Sequence, residues 1–217
     1  MQTFPETYNS IQHIYYRFNE FKRYRDYIQR YERMIKEELV DYNKFLNDDD
    51  LYLKLGPKFA FERNHFHNLS AEFPNTQRKS TFISLISYFE NSMNELCEIY
   101  EYHNKLTVNY KDMNGKGIER AKLYLVKIVG LDFPTTKNWS EIKILQRIRN
   151  NFVHSYSEVY PENDQLIYEV NSIKHLKLYK LQTKSLLQVE DNFLEYVLEI
   201  FENFYKELLV VVEKNTV

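Results

Sequence analysis

The side chains in this sequence best suited to chemistry lie between Arg149 and His154. Histidine is the side chain best suited to moving protons near neutral pH, and His154 supplies one here. The guanidinium of Arg149 offers fixed, paired donors to phosphate oxygens. Asn150 lies one helical turn before His154, so its amide is expected to hydrogen-bond the imidazole and orient it. Together these groups suffice to cleave a phosphodiester without a metal when the substrate brings its own nucleophile, as RNA does in its 2′-hydroxyl.

An amphipathic helix is expected to carry this motif. It is predicted to open at Asn138, whose side chain would cap it while Glu141 reaches back from the third position. Its core face is predicted to contain Leu145, Ile148, Phe152 and Tyr156, with Ile142 and Val153 at the margin. Arg149 falls at the edge of that face, and the side chains predicted to turn away from it are Arg147, Asn150 and His154. The motif is therefore expected to point out of its own domain.

Composition and periodicity predict an all-α fold around this helix. The 217 residues are 43% hydrophobic and 16% aromatic, enough to fill a core, and 4 glycines and 5 prolines are too few for the turns of an all-β protein. Besides the motif helix, apolar spacing predicts helices from about Tyr8 to Leu46, Asn75 to Lys105, Ile118 to Val129, and from near Asp191 onwards. The first of these has a near-heptad stripe and is long enough to pack along a partner as well.

The chain is predicted to consist of a long N-terminal helix with an irregular connector, residues 1–73, and a helical domain, residues 74–217. The two parts are expected to form one compact unit. In the connector, residues 48–73, Phe59, Phe61 and Phe66 are expected to anchor onto the bundle. After Pro161, short alternating runs predict a small hairpin or meander before the last helix. These runs are Leu166 to Val170, Leu176 to Leu181 and Ser185 to Val189.

Charge and cysteine content limit the classes of function. A net charge of −2 argues against coating nucleic acid by bulk electrostatics, so a polyanion would need a local patch. The stretch from Lys116 to Arg149 is basic, although a solvated helix face is the plainer interpretation. A single cysteine, Cys97, and the absence of a leader or a membrane-spanning run favour the cytoplasm, with no membrane contact.

The motif resembles the R-x-x-x-x-H motif of the HEPN superfamily, with the polar residue that often follows the arginine in that family. Arg149-Asn150-Asn151-Phe152-Val153-His154 is the matching stretch, and it lies in RIRNNFVHSY. The resemblance extends from about Pro74 to the end: an amphipathic helix containing SLISYFENSMNELC, a short helix, the motif helix, a β-like stretch and a closing apolar helix. The long helix before residue 50 lies outside it.

This resemblance implies a metal-independent endoribonuclease without cofactor, working as a homodimer in which two motifs line one cleft. His154 would be the acid/base residue, Arg149 would stabilise charge at phosphorus and Asn150 would orient the histidine. The residues expected to bind substrate or line the cleft are Glu90, Asn94, Arg147 and Asn151. A toxin or antiphage defence role with an antitoxin or other partner protein is implied, and His154-Ser155-Tyr156 makes Tyr156 a possible modification site, as in HEPN toxins paired with a nucleotidyltransferase.

Other interpretations compete with this one. The spacing of Arg149 and His154 alone is not specific, and an exposed helical histidine without a role would give the same pattern. The second functional hypothesis is a non-catalytic HEPN-like module that binds a protein or a nucleotide. His65 and His67 lack a third ligand nearby for a metal, and Gly115-Lys116-Gly117 is too short for a phosphate-binding loop.

Overall fold

The long N-terminal helix begins with a reciprocal cap. In the computed structural model, which describes residues 9–46 and 56–215, helix α1 covers Ser10–Leu46. The side chain of Asn9 accepts from the backbone N–H of Gln12, and the side chain of Gln12 accepts from the backbone N–H of Asn9. This arrangement satisfies two N–H groups that a helix end would otherwise leave without partners. The predicted helix is thus confirmed from Ser10 onwards.

The connector is more helical than predicted. Residues 47–55 lie outside the described part of the chain, but α2 covers Lys58–His67, a π-helical turn covers Asn68–Glu72, and α3 follows at Phe73–His103. Phe66 stacks on Tyr42 of α1 at 5.9 Å between ring centroids. Phe59 is partly buried as well, whereas Phe61 is 70% exposed. The prediction of an irregular segment at residues 58–73 is therefore wrong, and so is the anchor role of Phe61.

The remaining elements follow the predicted order with one exception. They are α4 at Gly117–Lys127, α5 at Lys137–His154, β1 at Glu158–Val159, α6 at Asp164–Ser172, β2 at Leu176–Lys180, β3 at Ser185–Val189 and α7 at Phe193–Asn215. A 3₁₀ turn at Tyr110–Asp112 precedes α4. Most of the fold is α-helical, with a small β-hairpin before the final helix, as predicted.

The exception is α6, which was predicted as a strand. Leu166, Tyr168 and Val170 recur at every second position, as in a strand, although Ile167 between them is apolar too. The spacing of Leu166, Val170 and Ile173 also fits a helix, and these three residues are buried. Asn163 caps this helix by accepting from the backbone N–H of Leu166 at 3.3 Å. In so short a run, spacing alone does not distinguish the two-residue period of a strand from the 3.6-residue period of a helix. The N-cap at Asn163 favours the helix.

The sheet has the strand order β1-β3-β2, and both pairings are antiparallel. In the hairpin Leu178 faces Leu187, while Glu158 of β1 faces Leu186 on the other side of β3. The short strand β1 follows the motif helix directly. The sheet therefore connects the end of α5 to the hairpin.

A single set of buried side chains joins α1, α3, α5 and α7. Phe21 of α1 contacts Phe201 and Tyr205 of α7 at 5.5 and 5.4 Å between ring centroids. Phe89 of α3 stacks on Phe201 at 4.5 Å. Burial of aromatic rings dominates the stability of such a core. No helix in the described residues is both long and apolar enough to span a membrane.

Candidate functional site

Helix α5 holds the motif with one face in the core. Leu145 and Ile148 are fully buried and Phe152 nearly so, with its ring edge-on to Phe82 of α3 at 5.8 Å. Asn150 and His154 are exposed on the other side. The predicted division between a core face and an outward face is confirmed for these five residues.

The start of α5 differs from the prediction. The helix begins at Lys137 after an extended Thr136, and the Asn138 amide donates to Glu207 of α7 at 2.8 Å instead of capping its own helix. The Thr136 hydroxyl donates to the other oxygen of the same carboxylate at 2.7 Å. Glu141 contacts Lys137 and Tyr196. The predicted capping box is therefore wrong, because a carboxylate from α7 binds the polar residues at this end.

The residues of α5 on either side of Arg149 lie near α3. Phe152 contacts Lys79 of α3, and Gln146 approaches Glu90 near Gly117. Along α5, Arg149 lies between Gln146 and Phe152, and its side chain is partly buried. Its Nη1 donates to Asn150 Oδ1 at 3.1 Å, while its buried Nε has no hydrogen-bond partner in the described chain.

His154 is the last residue of α5 and is exposed. Among the described residues no hydrogen bond links it to Asn150, whose side-chain oxygen accepts from Arg149 instead. The expected orientation of the imidazole by Asn150 is thus not formed in this structure. Arg149 and Asn150 contact each other, and His154 lies one turn after Asn150 on the same helix.

Arg147 has a structural partner. Its Nε and Nη2 bind the two carboxylate oxygens of Glu169 on α6 at 2.8 and 2.6 Å. Burial alone would raise the pKa of Glu169, but hydrogen bonds from Arg147 and Gln165 outweigh it and hold that pKa below its ordinary range. Arg147 was predicted to bind substrate or line the cleft; in the structure it neutralises a buried carboxylate and joins α5 to α6.

Asn151 was also predicted to line a cleft, and it is buried, with 8% of its surface exposed. Its amide donates to the backbone oxygen of Glu158 at 2.8 Å. This bond ties the last turn of α5 to β1. Asn151 is therefore a positioning residue for the end of the helix and is not available to a substrate.

Tyr156 was predicted to face the core, and it is 86% exposed. The helical-wheel prediction failed because α5 ends at His154, so the angular relation does not reach Tyr156. Tyr156 and Ser157 both adopt left-handed backbone conformations, with φ of 50° and 69°. Such conformations are rare for residues other than glycine and turn the chain sharply. The Tyr156 ring consequently projects from the surface just beyond His154.

The α3 side of the site contains one residue that was missed. Lys79 has its amine 5.4 Å from the centre of the Phe152 ring, and burial lowers the pKa of Lys79. The position of Lys79 could have been predicted from the sequence, because Lys79 precedes the core residue Phe82 by about one helical turn. Glu90 and Asn94, the predicted cleft residues of α3, lie further along it; both are partly buried, and Asn94 Oδ1 has no partner in the described chain.

The basic stretch from Lys116 to Arg149 is largely occupied by local contacts. Lys122 lies over the rings of Phe133 and Trp139, at 5.8 and 5.5 Å from their centres. Arg120 lies over the ring of Tyr110, and Lys137 pairs with Glu141. These contacts fit the plainer interpretation of a helix surface with individual partners.

A second constellation has the residue types of a catalytic triad. The ring of His13 on α1 has its Nε2 3.3 Å from Ser92 Oγ on α3, and its Nδ1 3.9 Å from a carboxylate oxygen of Glu95. Nε2 also lies 2.9 Å from the Ser92 carbonyl oxygen, which only accepts, so this nitrogen carries the hydrogen and cannot take the serine proton. His13 and Ser92 are fully buried. The cluster is structural.

The other candidate groups do not form a site. No three His, Cys, Asp or Glu side chains in the described residues are placed to hold a metal ion, and His65 and His67 are exposed on α2. The Cys97 thiol is buried against the Ala121 carbonyl, and burial raises its pKa, which suppresses the reactive thiolate. Comparisons of the chain with protein-family models, curated proteins and solved structures gave no match.

Proposed function

We propose that the chain is a metal-independent endoribonuclease of the HEPN type. The observation that supports this most directly is that His154 is exposed on the outward side of a helix whose other face is buried, while the partly buried Arg149 lies at the edge of that buried face. An exposed imidazole is suited to proton transfer, and a partly buried guanidinium is suited to phosphate binding.

In the proposed reaction, His154 takes the proton of a ribose 2′-hydroxyl, and the 2′-oxygen attacks the adjacent phosphorus. The bond from phosphorus to the 5′-oxygen breaks, and that oxygen receives a proton from an imidazolium. The products are a 2′,3′-cyclic phosphate and a 5′-hydroxyl. Arg149 donates to the phosphoryl oxygens, on which charge builds in the transition state, an effect typically worth about 100-fold or more in rate.

The proposal includes a homodimer. Arg149 and His154 are five residues apart, which is about 7.5 Å along a helix and about 140° around it, so the two side chains diverge. Two copies of α5 facing each other would bring Arg149 of one chain towards His154 of the other. We further propose that the protein acts in the cytoplasm, in a toxin or defence system with an antitoxin or other partner.

The test is cleavage of mixed RNA by the purified full chain in the presence of a chelator, with a DNA copy of the same sequences alongside. We expect RNA alone to be cut, with 2′,3′-cyclic phosphate ends, and His154→Ala and Arg149→Ala each to lose about 100-fold or more in rate. Lys137→Ala is the matched control. It removes an exposed cation from the same helix about 18 Å from Arg149 and should leave the rate unchanged.

The outcomes separate this proposal from a non-catalytic module that binds a protein or nucleotide. That second function is favoured by one observation: the Asn150 oxygen accepts from Arg149, so no side chain of the described chain orients His154. RNA left intact by a protein shown to be dimeric would favour the module. Cleavage of DNA, loss of activity in chelator, or equal activity of His154→Ala and the parent protein would contradict the ribonuclease proposal.

A further inference from the structure

Tyr156 is exposed in a backbone conformation that needs an explanation. At 86%, its ring is the most exposed of the large hydrophobic side chains in the described residues. Tyr156 and Ser157 are consecutive residues with left-handed backbone conformations, and neither of them is glycine. Conformations of this kind are unfavourable for bulky side chains and concentrate at binding and catalytic sites.

Hydrogen bonds on both sides hold this turn in place. The Glu158 N–H donates to the Ser155 carbonyl, and the Leu187 N–H of β3 donates to the Ser157 carbonyl, both at 2.8 Å. The Asn151 amide binds the Glu158 carbonyl, and Ser157 is buried. The braced backbone therefore fixes the direction in which the Tyr156 side chain leaves the chain.

We propose that Tyr156 stacks on a nucleobase of the RNA strand that the motif engages, and that the substrate is single-stranded at this point. This inference rests on the proposed ribonuclease function. A tyrosine ring held outward offers a flat apolar face at little further cost in conformational entropy, and bases of any sequence stack on such faces.

The position of the ring fits this role. Tyr156 follows His154 by two residues. The cations of this region are Arg149 on α5 and Lys79 on α3, whose amine lies 5.4 Å from the centre of the Phe152 ring. Proteins hold single strands by binding the phosphates with cations and by stacking the bases on aromatic rings. Inside a duplex the faces of paired bases are covered by their neighbours, so away from a helix end a base on Tyr156 must be unpaired.

The test compares two strands of equal charge that the enzyme cannot cut. The first is a labelled 2′-O-methyl oligonucleotide of mixed sequence, in which the attacking hydroxyl is blocked. The second has the same backbone without bases. Three variants of the full chain are used: Tyr156→Phe keeps the ring, Tyr156→Asn removes it while tolerating the left-handed conformation, and Tyr156→Gly removes both the ring and the strain.

We expect the parent protein and Tyr156→Phe to bind the base-bearing strand about tenfold or more tightly than the abasic strand. Tyr156→Asn and Tyr156→Gly should lose that preference and keep their affinity for the abasic strand. Thermal melting of each variant confirms that it is folded. Retention of the preference in Tyr156→Asn, or an equal loss of affinity for both strands, would overturn the inference.

Failure of this inference is distinguishable from failure of the ribonuclease proposal. A parent protein that cuts RNA while all variants bind and cut alike refutes stacking alone. A parent protein that shows the base preference but cuts nothing refutes the nuclease alone, and a parent protein that binds neither strand and cuts nothing refutes both. If Tyr156→Asn converts a dimer into a monomer in sedimentation, the ring belongs to an interface between two copies, and stacking is refuted.

Discussion

Lowering the pH should destabilise this protein through His13. The ring lies between α1, α3 and α7, with Glu95 and Arg17 beside it and the Ser92 hydroxyl sharing a hydrogen bond with Tyr205. Burial lowers the pKa of His13 from 6.5 to about 4; the hydrogen bond to the Ser92 carbonyl opposes this shift, and the charge of Arg17 adds to it. Folding therefore requires a neutral ring at pH values where the unfolded chain carries a proton.

The sign and size of the effect follow from linkage. Because the folded pKa is the lower one, the stabilising contribution is complete above pH 6.5 and is lost as the pH falls from 6.5 towards 4. Each unit between the two pKa values is worth about 1.4 kcal/mol, so the total is about 3 kcal/mol, of which about 2 kcal/mol is lost by pH 5. A loss of this size is a large part of the stability of an ordinary domain.

The measurement is urea unfolding at several pH values between 7 and 5, followed by the fluorescence of the single tryptophan, Trp139, which is buried in the core. His13→Gln is the comparison, because its amide is neutral throughout and keeps a donor for the Ser92 carbonyl. The free energy of unfolding of the parent should fall towards that of the variant by about 2 kcal/mol over this range. Parallel pH profiles for the two proteins, at equal protein concentration, would refute the reasoning.

Two further substitutions test the surroundings of the motif. Gly117→Ala should destabilise the protein by about 1–3 kcal/mol, measured by urea unfolding, because φ there is 57° and the new carbon would lie 2.8 Å from Gln146 Nε2 and 3.3 Å from Glu90 Oε1; an unchanged midpoint would show that both side chains move aside at no cost. Arg147→Gln should lower the free energy of unfolding by about 1–3 kcal/mol, because it leaves the buried Glu169 carboxylate without its cation. The rate of RNA cleavage per folded molecule should stay the same. A loss of rate without a loss of stability would show that Arg147 belongs to the site.

The helices could be predicted where the apolar spacing extends over several turns. The core positions of α3 and α7, such as Phe82, Phe89, Val197 and Phe201, repeat every three or four residues and are all buried. The short segment Leu166 to Val170 fits both periods, and its prediction as a strand failed. Length is what separates the two cases, because each added turn removes the ambiguity between periods of 2 and 3.6.

The surroundings of the site could be predicted less well, because they depend on partners distant in sequence. Glu169 lies 22 residues after Arg147, and nothing local indicates that it binds that guanidinium. Ser92 and His13 are 79 residues apart, so their buried contact is equally invisible from spacing. The motif residues themselves needed no such partners, since their faces follow from the helix alone.

The hairpin is part of the scaffold of the candidate site. A helical wheel describes α5 only as far as His154, and the chain after it takes its path from β3, which binds Ser157 through Leu187 and pairs with Glu158. Lys184, in the loop between β2 and β3, also binds the Glu158 carboxylate. The direction of Tyr156 therefore depends on contacts made about 30 residues later in the chain. Changes in the hairpin should consequently alter the surface beside His154 even though the hairpin contributes no residue to the motif.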